Sequence, residues 1–192
     1  MTKNTNSPIL DKFSSVESKG DSNIFFGKNV NLKKCKVRLS GGSTLIIGDN
    51  VVLRGYIGIG LGSTIEIGKN TKCNFPIFFI CSEGSKLTIG EDCLISDASI
   101  YTTDAHSIFD RETKKRINCA KDIIIGDRVW LGRKTWVMKG AVIGDDVVVG
   151  ACSMVTGDIV SNSICVGSPA KVVKKNTVWC DSKTDKYPER DE

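Results

Sequence analysis

The residues best suited to chemistry in this 192-residue chain are one imidazole and a few clustered cations and aromatics. His106 is the only histidine, in the segment IYTTDAHSIFDRETKKRINCAKDI, two residues after Asp104. A lone histidine is usually a structural or surface hydrogen-bonding group. Here it lies on a long insertion with a carboxylate close by. An imidazole oriented by a carboxylate or a backbone carbonyl is an economical general base for deprotonating a hydroxyl, so the context favours catalysis. The basic residues gather in KKCKVR (33–38), in RETKKR (111–116), at Arg133, Lys134 and Lys139, and at Lys171, Lys174 and Lys175, within a net charge of +5. Such clusters are solvated faces unless something draws them together; the partners they suit are cofactor phosphates or an acidic glycan. Nucleic acid fits poorly, because neither aromatic interleaving nor a helix-turn-helix pattern accompanies them. The eight cysteines include no C-x-x-C, and with one histidine they do not make a structural zinc site. Cys93 stands where Val51 and Val129 stand in their own units, the place of a small buried hydrophobe in a reducing compartment.

The element that must position these residues is a repeat. From Ile125 to Val155 the positions Ile125, Leu131, Val137, Ile143, Val149 and Val155 recur every six residues. Glycine follows at Gly126, Gly132, Gly144 and Gly150, and a small or β-branched residue stands four places into each unit. Six is not a helix period but is a multiple of the strand period of two, and a fixed six-residue repeat signals a parallel β-helix. A β-sandwich with glycine turns would not keep identical spacing. The tag apolar-Gly-charged-polar-small begins at Phe26, Ile47, Ile67, Ile89, Ile125 and Ile143, at intervals of 21, 20, 22, 36 and 18 residues. Three hexapeptides make 18, so each interval is one three-sided coil, the first three with a small insertion and the last with none. The exception carries 36 − 18 = 18 extra residues between Ser99 and Ile123. Loops of that length inside a regular solenoid are more often functional than structural.

The reading is an all-β chain of about six coils. Residues 1–23 are expected as a polar tail covering one end, 24–173 as the β-helix domain with a loop at 101–122, and 174–192 as a charged tail, mobile beyond Trp179. After Val155 the repeat dissolves into a last coil followed by a short helix or strand. No run approaches the ~18 apolar residues of a membrane span, and the first residues lack an apolar signal core, so the expected location is cytoplasmic.

The segments YTTDAHSIF, IIIGDRVWLG, VVVGACSMVTGDI and VGSPAKVVKK together resemble the hexapeptide-repeat acyltransferase family. In style they are nearest to the galactoside and maltose O-acetyltransferases and to the sugar O-acetyltransferases of capsule and lipopolysaccharide. The resemblance covers nearly all of the chain beyond residue 24. It implies a left-handed parallel β-helix, a homotrimer with sites between adjacent subunits, and acetyl-CoA as co-substrate with no metal. It implies that His106 is the catalytic base and that Trp130 lines the site opposite it. Trp130 holds an outward place in its unit, where packing alone does not call for a large ring. Ala151 and Thr156 match positions that meet the pantetheine arm, and Lys171 and Lys174 match basic residues near the nucleotide phosphates. Arg133 stands where family members vary and is grouped with them as a further cation. One departure is Gly157, where relatives often carry lysine. Asn74 stands where some sugar acetyltransferases carry an asparagine that touches the acceptor. Trp136 suits a neighbouring groove and a subunit interface equally.

The expected activity is O-acetylation of a sugar hydroxyl on a bacterial surface glycan. The basic loop with Arg111, Lys114, Lys115 and Arg116, and with Asp104 at its base, suits an anionic acceptor such as a sialic-acid polymer. The competing readings are an acetyltransferase for a small acceptor (a free sugar, a nucleotide amino sugar or an antibiotic) and a non-catalytic scaffold. A scaffold gives no reason for a long loop that bears the sole histidine. A carbonic anhydrase of this architecture needs three histidine ligands, and the chain has one.

Overall fold

The computed structural model describes residues 6–188, and among them there is no helix. The strands stack in parallel into a three-sided solenoid of about seven turns. The first side comprises Asn23–Phe26, Thr44–Ile47, Thr64–Ile67, Lys86–Ile89, Ile123–Ile125 and Val142–Ile143. The second carries Lys72–Cys73, Leu94–Ile95, Trp130–Leu131, Val148–Val149 and Ser163–Gly167. The third carries Ser15–Ser18, Ile77–Cys81, Ser99–Tyr101, Trp136–Met138 and Met154–Val155. Two long strands, Asn31–Leu39 and Val52–Ile59, serve the second and third sides together by turning the corner between them. At that bend Gly55 has φ +105°, and a Cβ there would lie 2.2 Å from the Ile77 carbonyl oxygen, so only glycine fits.

The six-residue period sets the core. Ile125, Leu131, Val137, Ile143, Val149 and Val155 are all at most 1% exposed, as are Val129, Thr135, Ala141, Val147 and Ser153. Each unit therefore sends two side chains inward, and neighbouring coils bury them against one another. The corner between the first and second sides is made by Asn29, Asn50, Asn70, Asp92, Arg128, Asp146 and Asn162, with φ between +53° and +59°. Asparagine and aspartate tolerate this left-handed conformation best. They also bond to one another from coil to coil: Asn29 to Asn50 (3.1 Å), Asn50 to Asn70 (3.1 Å), and Asn70 to Asp92 (3.0 Å). Arg128 breaks the run and is held instead by Asp146, with Nε at 3.0 Å and Nη2 at 2.9 Å.

The structure moves both expected boundaries. Within the expected tail 1–23, Ile9–Leu10 and Ser15–Ser18 pair in parallel with the strand Asn31–Leu39, adding a coil before the first tag. Strands of two and four residues, with Ile9 and Leu10 themselves exposed, hide that coil from a reading of composition. Residues 1–5 lie outside the described residues, as do 189–192 of the expected C-terminal tail. The boundary at 173 falls inside the strand Ala170–Lys175, which returns antiparallel to Ser163–Gly167, so the segment after the last coil is a hairpin. The chain beyond it is laid back along the prism: Thr177 N–H donates to Asn162 O (3.0 Å), and Lys72 pairs with Asp181 (3.0 Å). Cys35, Cys73, Cys81, Cys93 and Cys165 are buried free thiols, and Cys93 is 2% exposed, as its place in the repeat requires. No helix among the described residues is long and apolar enough to cross a membrane.

Candidate active site

The long insertion leaves the prism where the third side meets the first, after Ser99–Tyr101 and before Ile123–Ile125. It holds its shape through polar ties. Asn118, buried, donates from Nδ2 to the His106 carbonyl (2.7 Å) and to Asp104 Oδ2 (2.9 Å), and its Oδ1 accepts from the Ile108 N–H (2.7 Å). Lys139 of the next coil donates to Asp104 (2.6 Å), to the Asn118 carbonyl (2.9 Å) and to the Cys119 carbonyl (3.2 Å). Glu83 of the previous coil accepts from Thr103 (2.5 Å) and forms a two-pronged pair with Arg116 at 2.7 and 3.0 Å. The Arg116 and Thr103 hydrogen bonds pull the Glu83 carboxyl down to about 2 from its ordinary 4.5. Lys139 and Asn118 likewise hold Asp104 below its usual range. The loop is thus clamped from the coil below and the coil above, with His106 exposed on it.

These contacts show how two of the expected acceptor residues are held. The Asp104 carboxylate accepts from Lys139 and Asn118 and fixes the loop base, while the Asp104 carbonyl accepts from the His106 N–H (2.7 Å). Arg116 is committed to Glu83. Arg111, Lys114 and Lys115 stand exposed around a turn capped by Asp110, whose Oδ1 accepts from Thr113 N–H (2.6 Å). That turn closes a small hairpin, bonded between Ile117 and Ile108 (2.9 Å), that leaves Ile108, Phe109 and Ile117 in the open.

A second cluster forms at the corner between the second and third sides. Trp130, Arg133 and Ala151 line one apolar groove of about 320 Å³ with Ser96, Gly132, Val148, Val149 and Gly150. Gly132 and Gly150 keep its floor low. A Cβ on Gly132 would come within 2.8 Å of the Ala151 nitrogen, and one on Gly150 within 2.7 Å of the Val166 side chain. Strand pairing extends the groove to the expected phosphate residues. Trp130 pairs with Val148, Val148 with Ile164, and Ile164 with Lys174, while Lys171 pairs with Val166. Three strand spacings put Lys174 about 14 Å from Trp130 along the axis. The Arg133 guanidinium rests 4.7 Å from the centroid of Phe75, next to the exposed Asn74, on this same corner.

The structure therefore brings Trp130, Arg133, Ala151, Lys171 and Lys174 together and sets Asn74 beside them. It does not bring His106 to them within one chain. The loop and the groove stand at opposite edges of the third side, and Thr156, exposed after Met154–Val155, is on the loop's edge. Trp136 joins neither group. It stacks on Tyr101 (5.6 Å, 8°), which meets Phe78 (5.9 Å), which stacks on Tyr56 (5.1 Å), an aromatic ladder down the third side. Glu83, Asn118, Lys139 and Trp179 were not anticipated. Their partners lie 33, 12, 35 and 51 residues away, beyond any local pattern.

Residues 122–157 match the family model described as bacterial transferase hexapeptide (six repeats). The chain is 38% identical over 138 residues to the polysialic acid O-acetyltransferase of Escherichia coli O1:K1 / APEC, covering 71% of this chain and 44% of that protein. It is 34% identical over 163 residues to the polysialic acid O-acetyltransferase of Neisseria meningitidis, covering 83% and 75%. The crystal structure of the polySia specific acetyltransferase NeuO superposes with a TM-score of 0.73 at 35% identity over 92% of each chain. The chain thus spans less than half the length of the Escherichia coli relative and three quarters of the Neisseria one.

Proposed function

Because the chain belongs to the hexapeptide-repeat acyltransferase family, we propose that it transfers acetyl from acetyl-CoA to a sugar hydroxyl of a bacterial surface glycan. The observation that carries this reading is the pairing of a clamped loop presenting the sole histidine with an apolar groove that runs from Trp130 to two lysines. The groove takes the acetyl-pantetheine arm lengthwise, with the phosphates at Lys171 and Lys174. The left hand of the solenoid and the homotrimer belong to the same proposal. A partner copy supplies what one chain separates, because His106 and the Trp130 groove stand a full side apart. The open Ile108, Phe109 and Ile117 on the loop suit a landing on that copy.

In the reaction, the acceptor hydroxyl gives its proton to the His106 imidazole as its oxygen attacks the thioester carbonyl. A C–O bond forms, and the tetrahedral oxyanion needs a donor, for which a backbone N–H is suited. Collapse breaks the C–S bond, and the imidazolium returns the proton to the departing thiolate. The acceptor favoured by Arg111, Lys114 and Lys115 is an acidic polymer of the sialic acid kind, in line with the names of the relatives. Mass spectrometry of a panel of neutral and sialylated glycans incubated with acetyl-CoA tests this. Equal turnover of a neutral glycan at low and high salt would overturn the anionic acceptor, and full activity in His106→Ala would overturn the base.

A further inference from the structure

Beyond the hairpin that ends at Lys175, residues 176–188 run back along the corner between the first and second sides. They are pinned at three coils: Thr177 at Asn162, Trp179 at Arg128, and Asp181 at Lys72. The Trp179 indole N–H donates to the Arg128 carbonyl, and its ring lies 5.8 Å from that of Trp130 at 43°. Arg128 is itself rigid, gripped by Asp146 through two guanidinium nitrogens. Trp179 therefore reaches Trp130 from the Arg128 side, whereas the groove opens on the Gly132–Arg133 side. Trp130 is 38% exposed and springs outward from a two-residue strand, so its own coil offers little to choose among its rotamers.

We infer that Trp179 is a positioning residue for the acyl-donor groove: it backs the Trp130 indole so that the ring stands as the groove's fixed wall. The inference rests on the reading that this groove binds acetyl-CoA, and it adds the C-terminal segment to the site. Trp179 touches no reacting atom. With Trp179 absent, Trp130 swings over the space Trp179 vacates, and the groove loses one side. The backbone hydrogen bond fixes where the Trp179 ring sits, and the ring contact fixes Trp130. A phenylalanine that keeps the ring contact should therefore recover much of what an alanine loses.

The test uses the full chain and coenzyme A as the probe, so it needs no knowledge of the acceptor. Trp179→Ala is expected to raise the calorimetric Kd for coenzyme A about three- to tenfold, and Trp179→Phe to recover most of it. In a Trp136→Phe background the remaining indoles are the coupled pair. Their exciton band in circular dichroism should vanish in Trp179→Leu, and its persistence would show that the contact does not exist in solution. Trp130→Ala separates the two levels of the argument. If it weakens coenzyme A binding and Trp179→Ala does not, the inference falls and the groove assignment stands. If neither variant moves the Kd, the groove assignment falls and the inference with it. A drop in melting temperature with an unchanged Kd would make residues 176–188 a strap for stability alone, which also overturns the inference.

Discussion

In the prism wall a side chain's place follows from its number; in the loop at 102–122 it follows from a handful of polar ties. Every sixth residue of the wall from Ile125 to Val155 is buried; those from Ile125 to Val149 lie between equivalent residues of the coils on either side, and Val155 lies on Val137 at the end of its row. The loop has no such redundancy. Asn118 joins the His106 carbonyl, the Ile108 N–H and Asp104, and Glu83 receives Thr103 and Arg116, whose Nε also donates to Asn118 Oδ1 (3.3 Å). A wall built from many small equal contributions loses stability gradually when one is removed. A loop built from single ties loses geometry at once while the fold survives. Damage to the wall should therefore appear in melting temperature, and damage to the loop in turnover.

The sharpest break in that comparison is His106→Ala, expected to lower kcat by about 10²- to 10⁴-fold with the melting temperature unchanged. Steady-state kinetics beside calorimetry reads both quantities. Asn118→Ala comes next, with a fall of about 10² in kcat/KM as the loop shifts, and the wall's circular dichroism intact. If instead the whole protein melted, the separation of wall and loop would be wrong. Lys171→Ala with Lys174→Ala is expected to weaken coenzyme A binding about tenfold at low salt, and less at high salt, where the phosphate attraction is screened. An unchanged Michaelis constant for acetyl-CoA would remove the phosphate assignment. Ile125→Val probes the wall itself and should lower stability by about 0.5–1.5 kcal/mol in denaturant unfolding while kcat per folded molecule holds.

The smallest effect at neutral pH is the Glu83 tie, because it is complete there. The folded-state value of about 2 lies below the ordinary 4.5, so the tie contributes fully above pH 4.5 and is lost as pH falls toward 2. Proteolytic nicking within 102–122 should accordingly rise across that window, before the strands unfold.

The same contrast explains what the amino-acid sequence discloses. Periodicity placed the core of the last coils residue by residue, since burial there is a matter of counting. The family resemblance, with the outward place of Trp130 in its unit, singled out Trp130, Arg133 and Ala151, which line one groove. Periodicity missed the coil that includes Ser15–Ser18, where the strands are two and four residues long and Ile9 and Leu10 are exposed. It missed the loop's ties because their two ends are far apart in the chain and similar pairs abound on any surface. Asp104 illustrates the failure: proximity in sequence suggested a partner for His106, but the carboxylate found Lys139 of the next coil. Trp179 was set among tail residues, and its partner Trp130 lies 49 positions earlier, beyond the reach of any window.

Leu87, Thr88 and Ile89 pair with Ile123, Ile124 and Ile125 in the same alignment that Ile65, Glu66 and Ile67 keep with Leu87, Thr88 and Ile89. The first pairing spans 36 residues of chain and the second 22, yet the stacked strands do not register the difference. Closing a loop costs only about 0.6 kcal/mol more for each doubling of its length. The corner between the third and first sides is thus a socket, into which a segment of almost any length can be fitted without disturbing its neighbours. On the function proposed above, acceptor preference would then diverge by exchange of an interchangeable part while the chassis with the proposed acyl-donor groove stays as it is.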